Sequence, residues 1–358
     1  MTAEEIFRGR LVMAPMTRGT DLPFRVLARE LGAEVCFGEM AYAHKIVRGA
    51  RAESVLFRRD PREGLFGVQL AGKHPQLMAE AARIAEDRGA DFVDVNLGCP
   101  IDDATKRGFG ASLLRRAGRV AAIVEAMKRA VGIPVTIKLR SGWTADKPTF
   151  LKVATAAERA GVDAISLHAR SRAQRYRRPA DWGLVRALVE TVSVPVIGNG
   201  DVFDWSDARR RMTETGCAAV MVGRWGLAKP WIFREFHRGR SESPDSAERL
   251  AVLRRYVELC REHFGDDEWG RRRTRGFFVF HQDFFRRYRS GGAPGAVNSD
   301  DPRDWGDEPD DDIGKWLCRS DRDGVDALSR WLVDGERTEI PPPPGPESPR
   351  AVEAPAYG

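Results

Sequence analysis

The feature that most constrains this chain is a repeated alternation of short β-rich runs with longer amphipathic runs. Runs rich in Val, Ile and Phe favour strands, whereas apolar residues spaced three or four positions apart favour helices. Strands separated by helices pair in parallel, because the helix returns the chain to the same end of the sheet. The β-rich runs are 10–16, 34–40, 65–72, 91–98, 134–140, 163–170, 194–200 and 218–224.

Eight such strand–helix units predict a (β/α)8 TIM barrel over residues 1–240. The helix patterns at 74–90 and 113–132 have apolar residues at helical spacing and end at or beside a glycine. A doubly wound open sheet is the alternative fold. It would need fewer strands and usually a GxGxxG turn after the first strand, which this sequence lacks.

The pattern changes after residue 240. Helix patterns at 246–265 and 271–289 follow each other without a strand between them, which predicts a small all-α domain over 241–290. Residues 291–358 form an extension that is acidic and rich in Gly and Pro, with one short helix at 323–335. We expect this extension to be largely disordered.

The positive charge of the chain lies in its first 290 residues, which hold 51 Lys and Arg against 36 Asp and Glu. From residue 291 onward the corresponding counts are 7 and 16. A basic body favours a polyanionic partner such as a nucleic acid. An arginine-rich surface without such a partner is the alternative.

The cysteines are scattered and form no CxxC pair, which argues against a disulfide framework or a zinc site. The sequence also has no HExxH motif, and we expect no metal centre. A reducing cytoplasm is the expected compartment. No run is apolar enough for a membrane span, and the first residues lack the apolar core of a secretory signal. Nothing in the sequence implies a stable protein partner. The cysteines are Cys36, Cys99, Cys217, Cys260 and Cys318.

Polar residues and glycines gather where the predicted strands end. In a (β/α)8 barrel the carboxyl ends of all strands meet at one rim, which carries the active site. Random surface polarity would place such residues at both ends, so the pattern predicts one large site. In strand order the rim residues are Pro15, Met16 and Thr17; Glu39; Gln69; Asn96 and Cys99; Lys138 and Arg140; His168 and Arg170; Asn199, Gly200 and Asp201; Gly223 and Arg224.

The last two strands end in IGNGD and VGR, which favours a phosphate site. Loops after the seventh and eighth strands of such barrels commonly hold phosphate through backbone N–H groups. Gly200 and Gly223 would let the backbone approach a ligand closely, and Arg224 would add a charged hydrogen bond. Two ordinary strand-to-helix turns are the alternative.

Two further rim residues have side chains suited to a cofactor. Lys138 lies inside the apolar run VTIKLR, where a charged side chain needs a partner. It could form a Schiff base, pair with an acid, face an electron-rich cofactor, or reach solvent from the strand end. Gln69 offers a donor and an acceptor side by side, as the edge of a fused pyrimidine ring would require.

His168 opens a loop that holds five arginines between Arg170 and Arg178, with Tyr176 among them. Arginines interleaved with an aromatic ring suit an RNA backbone and a stacked base. A solvated basic loop is the alternative, and a histidine at a strand end is more often a local hydrogen-bonding group than a catalyst.

The chain contains, in order, the motifs MAPMTRGTDLPFR, GVQLAG, VNLGCP with GFGASLL, IKLRSGW, LHARSRAQRY, IGNGDV and VGRWGLAKPWIF. Together they resemble the tRNA-dihydrouridine synthases, which are flavin enzymes that reduce uridine in tRNA. The resemblance covers about residues 9–289, including the barrel and the helical region. The NxGCP element and the ordered set of motifs are its most specific parts.

The resemblance implies that Cys99, the cysteine of NxGCP, is a general acid. In this family reduced FMN donates a hydride from N5 to C6 of the uracil, and the cysteine protonates C5 from the other face. Gly98 and Pro100 would fix the loop that aims the thiol. A thiol suits the task because its ordinary pKa of about 8.5 keeps it protonated at neutral pH. NADPH or NADH would reduce the flavin again.

The same resemblance implies roles for the other rim residues. Lys138 would lie near N1 and the C2 carbonyl of the flavin, where negative charge gathers on reduction. The residues that would hold FMN are Pro15, Met16, Thr17, Gln69, Lys138, His168, Asn199, Gly200, Asp201, Gly223 and Arg224. The residues that would contact the tRNA partner are Asn96 and Arg140 at the uracil, Arg170 and Arg175 in the loop, and Arg271, Arg272, Arg273 and Arg275 in the helical domain.

The segments IDDATKRGFG and RAQRYRRPADW are most similar to the family branch that acts on the variable loop of tRNA. Eukaryotic members of that branch often carry zinc fingers, for which this sequence has no pattern, and the acidic extension has no counterpart in the core family. Two alternatives stay open. One is another FMN barrel, such as a dihydroorotate dehydrogenase or an enoate reductase, and the other is a tRNA-binding chaperone without turnover.

Overall fold

The computed structural model describes residues 1–289 and 309–335, which divide into two compact units. The first unit comprises residues 1–22 and 33–223, and the second comprises residues 23–32 and the described residues from 224 onward. Residues 224–238 therefore group with the second unit, whereas a domain boundary at residue 240 stays a prediction. The predicted disorder at 291–308 and 336–358 concerns residues outside the described ranges.

The first unit is a closed barrel of parallel strands, which confirms the predicted (β/α)8 fold. Its strands are β1 (Leu11–Met13), β2 (Val35–Phe37), β3 (Ala41–Tyr42), β4 (Leu65–Ala71), β5 (Phe92–Leu97), β6 (Val135–Arg140), β7 (Ala164–His168), β8 (Val196–Asn199) and β9 (Ala219–Val222). Neighbouring strands pair in the order β2-β1-β9-β8-β7-β6-β5-β4, and pairing of β2 with β4 closes the ring. The unpredicted two-residue β3 pairs with the carboxyl end of β4.

The described helices, in chain order, are α1 (Ala3–Phe7), α2 (Leu22–Glu30), α3 (Ala43–Val47), α4 (Arg51–Ser54), α5 (Pro75–Asp87), α6 (Asp102–Lys106), α7 (Ala117–Ala130), α8 (Phe150–Arg159), α9 (Trp182–Thr191), α10 (Trp205–Thr215), α11 (Arg224–Ala228), α12 (Ile232–Arg238), α13 (Ser246–Phe264), α14 (Glu268–Phe285), α15 (Asp312–Leu317) and α16 (Arg322–Ser329). In α5 the buried residues are Met78, Ala81, Ala82 and Ala85, whose spacing of three or four gives the helix one apolar face. This confirms the helix predicted at 74–90.

The helix predicted at 113–132 begins later than expected, at the first residue of α7. Residues Gly110–Arg115 form a 3₁₀ turn instead. Arg116, with φ of −135° and ψ of 60°, then leaves the helical region before α7 starts. The apolar residues of this stretch therefore belong to a 3₁₀ turn and a separate α-helix rather than to one continuous helix.

Three phenylalanines close the amino end of the barrel. α1, which starts with a capping box, places Phe7 against Phe37 of β2 and Phe92 of β5, with ring centroids 6.3 and 5.2 Å away. Gly67 of β4 makes room for this cluster, since a Cβ there would lie 2.1 Å from the Phe92 ring. All three rings are fully buried, so this end of the barrel is a packed apolar layer.

The interior of the barrel changes from apolar to polar along the strands. Alternate residues of a strand face the same side of the sheet, so Phe92, Asp94 and Asn96 of β5 share the inner face. The same alternation places Thr136 and Lys138 of β6 on that face. The apolar layer at the amino end thus supports a polar layer at the carboxyl rim, where the sequence predicts the site.

The second unit contains helices and no strand among the residues that the structure describes. Phe24 of α2 contacts Tyr256 of α13 and His281 of α14, with centroid distances of 6.4 and 4.8 Å. α13 and α14 confirm the helices predicted at 246–265 and 271–289. α14 begins three residues earlier than predicted because the side chain of Asp267 caps it.

Residues 309–335 form part of the second unit. The sequence predicts one short helix here, at 323–335, and the structure has α16 followed by a π-turn over Arg330–Asp334. It also has α15, which the sequence did not predict. These elements pack on α13 and α14 and bury Trp316 and Trp331. A membrane-crossing helix needs a long apolar run, and none of the described helices has one.

Replacing Phe7 with Ala is expected to lower the free energy of unfolding by about 3–5 kcal/mol, because a fully buried ring is lost and a cavity remains. Phe7→Leu retains most of the volume and should cost about 1–2 kcal/mol. Urea denaturation followed by circular dichroism measures both variants. A loss below about 1 kcal/mol for Phe7→Ala would contradict the closing role of α1.

Candidate active site

Cys99 lies on the loop that follows β5, and three neighbours hold its backbone in place. Asn96 Oδ1 accepts hydrogen bonds from the backbone N–H groups of Gly98 and Cys99, at 3.2 and 2.9 Å. The Cys99 carbonyl accepts a bond from the N–H of Ala111 at 3.1 Å. Gly110 approaches so closely that a Cβ there would lie 2.8 Å from this carbonyl oxygen.

The Cys99 thiol is half-buried, and burial raises its pKa above the ordinary value. A hydrogen bond from the N–H of Ile101 and the positive charge of Arg140 lower this pKa, but less strongly. The thiol therefore keeps its proton at neutral pH. That is the state required of a proton donor, whereas an activated nucleophile needs a lowered pKa.

Arg140, at the end of β6, ties the Cys99 loop to the loop after β7. Its Nε donates to the carbonyl of Gly98 at 3.0 Å, and its Nη1 donates to the carbonyls of Ser171 and Arg175 at 3.1 and 3.3 Å. Its guanidinium lies 5.6 Å from the centre of the Tyr176 ring. Contact between Arg140 and uracil stays a prediction, and here the buried side chain joins two loops.

A chain of hydrogen-bonded side chains crosses β6, β5 and β4 and leads to the Cys99 loop. Thr136 Oγ1 donates to Asp94 Oδ1 at 2.7 Å, and Gln69 Nε2 donates to Asp94 Oδ2 at 2.8 Å. Asn96 Nδ2 donates to Gln69 Oε1 at 2.7 Å. All four side chains are buried, so the bonds form where an unpaired polar group would be costly.

Burial displaces the pKa values of Asp94 and Lys138 in opposite directions. It raises the pKa of Asp94 to about 6, and hydrogen bonds from Gln69 and Thr136 oppose this rise. Burial, followed by the charge of Arg140, lowers the pKa of Lys138 to about 8, while Asp94 opposes this fall. Both groups titrate near neutral pH, as groups in active sites often do.

Lys138 is half-buried, and its amine bonds to the end of β8. Lys138 Nζ donates to Asn199 Oδ1 at 3.2 Å, and Asn199 Nδ2 donates to the Met221 carbonyl at 2.8 Å. This bond uses one of the three N–H donors of the lysine. On β7 the buried hydroxyl of Ser166 has no partner among the described residues. Such unused groups fit a ligand with hydrogen-bond acceptors and negative charge.

The predicted phosphate turns lie at the ends of β8 and β9. Gly200 has a φ of +129°, which residues with a side chain rarely adopt, and its carbonyl accepts a bond from Trp182 Nε1 at 2.9 Å. A Cβ at Gly223 would meet only ordinary van der Waals contacts, so the surrounding atoms do not require a glycine at this position. Arg224 begins α11 and belongs to the second unit.

Pro15, Met16 and Thr17 follow β1 at the same rim. β1 pairs with β9, which brings Met16 Sδ to 3.7 Å from the position of a Cβ on Gly223. The structure therefore brings together the predicted cofactor residues that follow β1 and β9. Thr17 is exposed, whereas the other two are half-buried.

Arg170 and Asp201 form an ion pair in which the arginine is 3% exposed. Arg170 Nη2 lies 2.6 Å from both carboxylate oxygens of Asp201. Its Nε donates to the carbonyl of Arg178, and its Nη1 lies 3.3 Å from His168 Nε2. Contact of Arg170 with tRNA, and of His168 and Asp201 with a cofactor, stay predictions. In this structure the three residues hold the loop after β7.

The loop after β7 presents an exposed aromatic ring at the rim. Tyr176 is 44% exposed, and Arg175 lies next to it in the chain. Arg172 pairs with Asp102 of α6 at 2.6 Å, which joins this loop to the Cys99 loop a second time. A base could stack on the Tyr176 ring, and contact of Arg175 with tRNA stays a prediction.

The arginines predicted to bind tRNA in the helical region lie on α14. Arg271 and Arg275 form ion pairs with acids of the same unit, at 3.0 and 3.1 Å. Arg273 lies over an aromatic ring. Arg272 is exposed, and it has no partner among the residues that the structure describes. Contact with tRNA stays a prediction for all four, and it requires the least rearrangement for Arg272.

Sequence reasoning missed Asp94 and Thr136. The available signal was an acid in the middle of the apolar run DFVDVNLG. The parallel register places Asp94 beside both Gln69 and Thr136, which the sequence does not show. Asp94 is thus a fully buried acid that accepts hydrogen bonds from two side chains, next to the predicted rim residue Asn96.

The rim suits a flat, electron-rich ligand with an anionic tail. Gln69 supplies an amide, Lys138 supplies a positive charge, and the turn at Gly200 supplies backbone N–H groups. Within residues 1–289 and 309–335, no group of three or more His, Cys, Asp or Glu side chains is arranged to hold a metal ion.

Curated proteins match most of this chain. It is 38% identical over 282 residues to a Rattus norvegicus protein named tRNA-dihydrouridine(47) synthase [NAD(P)(+)]-like. It is 39% identical over 307 residues to tRNA-dihydrouridine(47) synthase [NAD(P)(+)] of Malassezia globosa. These matches cover 78% and 79% of this chain but 44% and 40% of the two proteins. The chain therefore spans less than half the length of these relatives.

Two solved structures share the fold at low sequence identity. Histamine dehydrogenase from Rhizobium sp. 4-9 has a TM-score of 0.51 and 17% identity, over 70% of this chain and 49% of that one. A 2-naphthoyl-CoA reductase has a TM-score of 0.51 and 15% identity, over 64% of this chain and 50% of that one. These similarities support the barrel fold alone.

A family model described as Dihydrouridine synthase (Dus) matches residues 12–289, which include nearly the whole barrel together with α13 and α14. The match confirms the resemblance that the ordered motifs indicate. It spans the Cys99 loop, the buried chain of polar side chains and the arginines of α14. The protein belongs to the dihydrouridine synthase family.

Proposed function

We propose that the protein is a tRNA-dihydrouridine synthase, which reduces the C5–C6 double bond of a uridine in tRNA with FMN as its cofactor. The observation that carries the proposal is that the half-buried Cys99 follows β5 at the same barrel rim as Lys138 and Gln69. Burial raises the pKa of its thiol, which favours the protonated form. Family membership and the names of the relatives support the reaction. The chain spans less than half the length of those relatives, so its own rim residues carry the proposal.

FMN fits the donors at the rim. When bound, the reduced cofactor supplies the hydride for C6 of the uracil. Lys138 would neutralise negative charge at N1 and the C2 carbonyl of the flavin. Gln69 would bind the pyrimidine edge with its second amide N–H and its second oxygen lone pair, since its bonds to Asp94 and Asn96 use one of each. The turns at Gly200 and Gly223 would hold the phosphate. The other residues proposed to line the cofactor are Pro15, Met16, Thr17, His168, Asn199, Asp201 and Arg224.

Cys99 would hold the proton that is delivered to C5. Burial keeps the thiol protonated, and its hydrogen-bonded backbone sets the position of the side chain before the substrate arrives. Delivery leaves a thiolate, which the nearby charge of Arg140 stabilises until water returns a proton.

The proposed substrate is tRNA, and its uridine must leave the base stack to reach the barrel rim. The relatives' names give position 47, and the segments at 101–110 and 172–182 resemble the variable-loop branch, so we propose that position. NADPH or NADH is the proposed reductant. Five free cysteines suit a reducing compartment, and the cytoplasm is the proposed location.

A combined spectroscopic and mass-spectrometric experiment tests the proposal. The purified protein is examined for a flavin spectrum and then incubated with NADPH and unmodified tRNA, and dihydrouridine is quantified at each position. Dihydrouridine at position 47 supports the whole proposal. Bound flavin without dihydrouridine on any tRNA would favour another flavin reductase. Binding of tRNA without flavin would favour a chaperone.

Cys99→Ala is expected to retain flavin and tRNA binding but to lose at least about 100-fold in dihydrouridine formation, because a positioned acid contributes roughly 10²–10⁴. Cys217→Ala is the control, since Cys217 is buried before β9, at the opposite end of the barrel. Single-turnover mass spectrometry measures both variants. Near wild-type turnover of Cys99→Ala would remove Cys99 as the acid.

FMN binding to the apoprotein is expected to weaken as the pH rises past about 8, because Lys138 then loses its positive charge. Lys138→Met should bind FMN roughly tenfold or more weakly at pH 7, since a charge-assisted hydrogen bond contributes about 1.5–3 kcal/mol. Lys128→Met, at the end of α7, is the control. Quenching of FMN fluorescence gives the affinities. A wild-type affinity that does not change with pH would exclude Lys138 as the cofactor's cation.

Arg272→Glu is expected to weaken tRNA binding and to reduce the slope of log affinity against log salt by about 1–2, because a phosphate contact becomes a repulsion. Arg159→Glu is the control and should change neither the affinity for tRNA nor the salt slope. Arg159 is the last residue of α8, and the carboxyl ends of the helices in such a barrel lie at the amino rim, away from the site. Fluorescence anisotropy at several salt concentrations measures both. A wild-type slope near zero would count against electrostatic binding of RNA.

A further inference from the structure

We propose that Asp94 is a positioning residue, which sets the direction of the hydrogen-bond chain that leads to Cys99. The proposal rests on the proposed function, because it links Asp94 to delivery of the Cys99 proton and to cofactor binding by Gln69. Asp94 acts through Gln69 and Asn96 rather than on the reacting atoms.

Along this series of hydrogen bonds, every donor points in the direction of Asp94. The Thr136 hydroxyl and the Gln69 amide donate to its two oxygens at 2.7 and 2.8 Å. Gln69 Oε1 is thereby turned to Asn96 and accepts from Asn96 Nδ2 at 2.7 Å. Asn96 Oδ1 is then turned to the loop and accepts the N–H of Cys99 at 2.9 Å. An ionised carboxylate has only acceptors, so it enforces this direction.

A neutral amide in place of Asp94 would allow the reverse direction. Its N–H could donate to Gln69 Oε1, and Gln69 Nε2 would then face Asn96 Oδ1. Asn96 Nδ2 would consequently face the N–H groups of Gly98 and Cys99, which places donor against donor. The loop would lose its anchor. The carboxylate excludes this arrangement.

Burial of the carboxylate lowers the stability of the fold, which favours a functional reason for its presence. Asp94 is fully buried, and its pKa of about 6 lies above the unfolded value of about 3.9. The folded state therefore loses stability as the pH rises through this interval, and the loss persists at neutral pH. A neutral residue of the same size would remove this cost.

Asp94 also affects the charge of Lys138. The groups that face Asp94 are Gln69 from β4 together with Thr136 and Lys138 from β6, and Lys138 is the charged one. The negative charge of Asp94 raises the pKa of Lys138 against burial and against Arg140. Loss of that charge should let the lysine become neutral at a lower pH.

The experiment compares three variants with the wild-type protein. Asp94→Asn removes the charge but keeps the volume. Thr136→Val removes one donor and keeps the carboxylate, whose pKa should then rise further. Asp91→Asn is the matched control, because Asp91 precedes the same strand at the amino rim and accepts the Phe66 N–H. The measurements are the melting temperature of the apoprotein, FMN affinity against pH, and dihydrouridine formation against pH.

Asp94→Asn is expected to melt at pH 7.5 at a temperature equal to or above that of the wild type, yet to form dihydrouridine at least tenfold more slowly. The wild-type protein is expected to lose activity as the pH falls through about 6, where Asp94 becomes protonated. Asp94→Asn should lack this decline, and its FMN affinity should fall at a pH below about 8. Thr136→Val should move the acid-side decline to higher pH. Asp91→Asn should leave both pH profiles unchanged.

Two results would overturn the assignment. One is full activity of Asp94→Asn with an unchanged pH profile. The other is a melting temperature that falls together with activity, which would indicate a structural role. If the wild type forms no dihydrouridine, the proposed function fails separately. Melting and FMN affinity then decide the role of Asp94: a shifted pH dependence of FMN binding supports it, and an unshifted one overturns it.

Discussion

The polar rim of the barrel depends on the apolar layer at the opposite end. The rings of Phe7, Phe37 and Phe92 pack against one another at the amino end and are fully buried. Beyond this apolar layer, the buried carboxylate of Asp94 and the amides of Gln69 and Asn96 form hydrogen bonds to one another. The displaced pKa of Asp94 is a direct consequence, because it arises from burial.

The site combines two charges that are both present only in a limited range of pH. Asp94 is ionised above about 6, and Lys138 is protonated below about 8. Between these values the barrel holds one negative and one positive group in its polar layer, and Cys99 retains its proton. A protonated thiol, a hydrogen-bonded amide and a cation are therefore present together at neutral pH, as the proposed function requires.

The sequence alone predicts the barrel and much of its rim, because the alternation of strands with helices and the helical spacing of apolar residues are local patterns. Cys99 and Lys138 could be assigned to the rim for the same reason. The role of Asp94 could not be predicted, since its partners lie on neighbouring strands and depend on register. The pairing of Arg170 with Asp201 likewise joins two loops that are distant in sequence, so composition suggested a surface residue where the structure has a buried one.

The apolar cluster of Phe7, Phe37 and Phe92 packs the amino end of the barrel, whereas the Cys99 loop and the polar side chains lie toward the carboxyl end. On the proposed function, a nicotinamide reductant and a tRNA nucleotide would both approach the cofactor from the carboxyl rim and would have to bind in turn. Binding in turn would favour a double-displacement order, in which the oxidised nicotinamide leaves before the tRNA nucleotide binds.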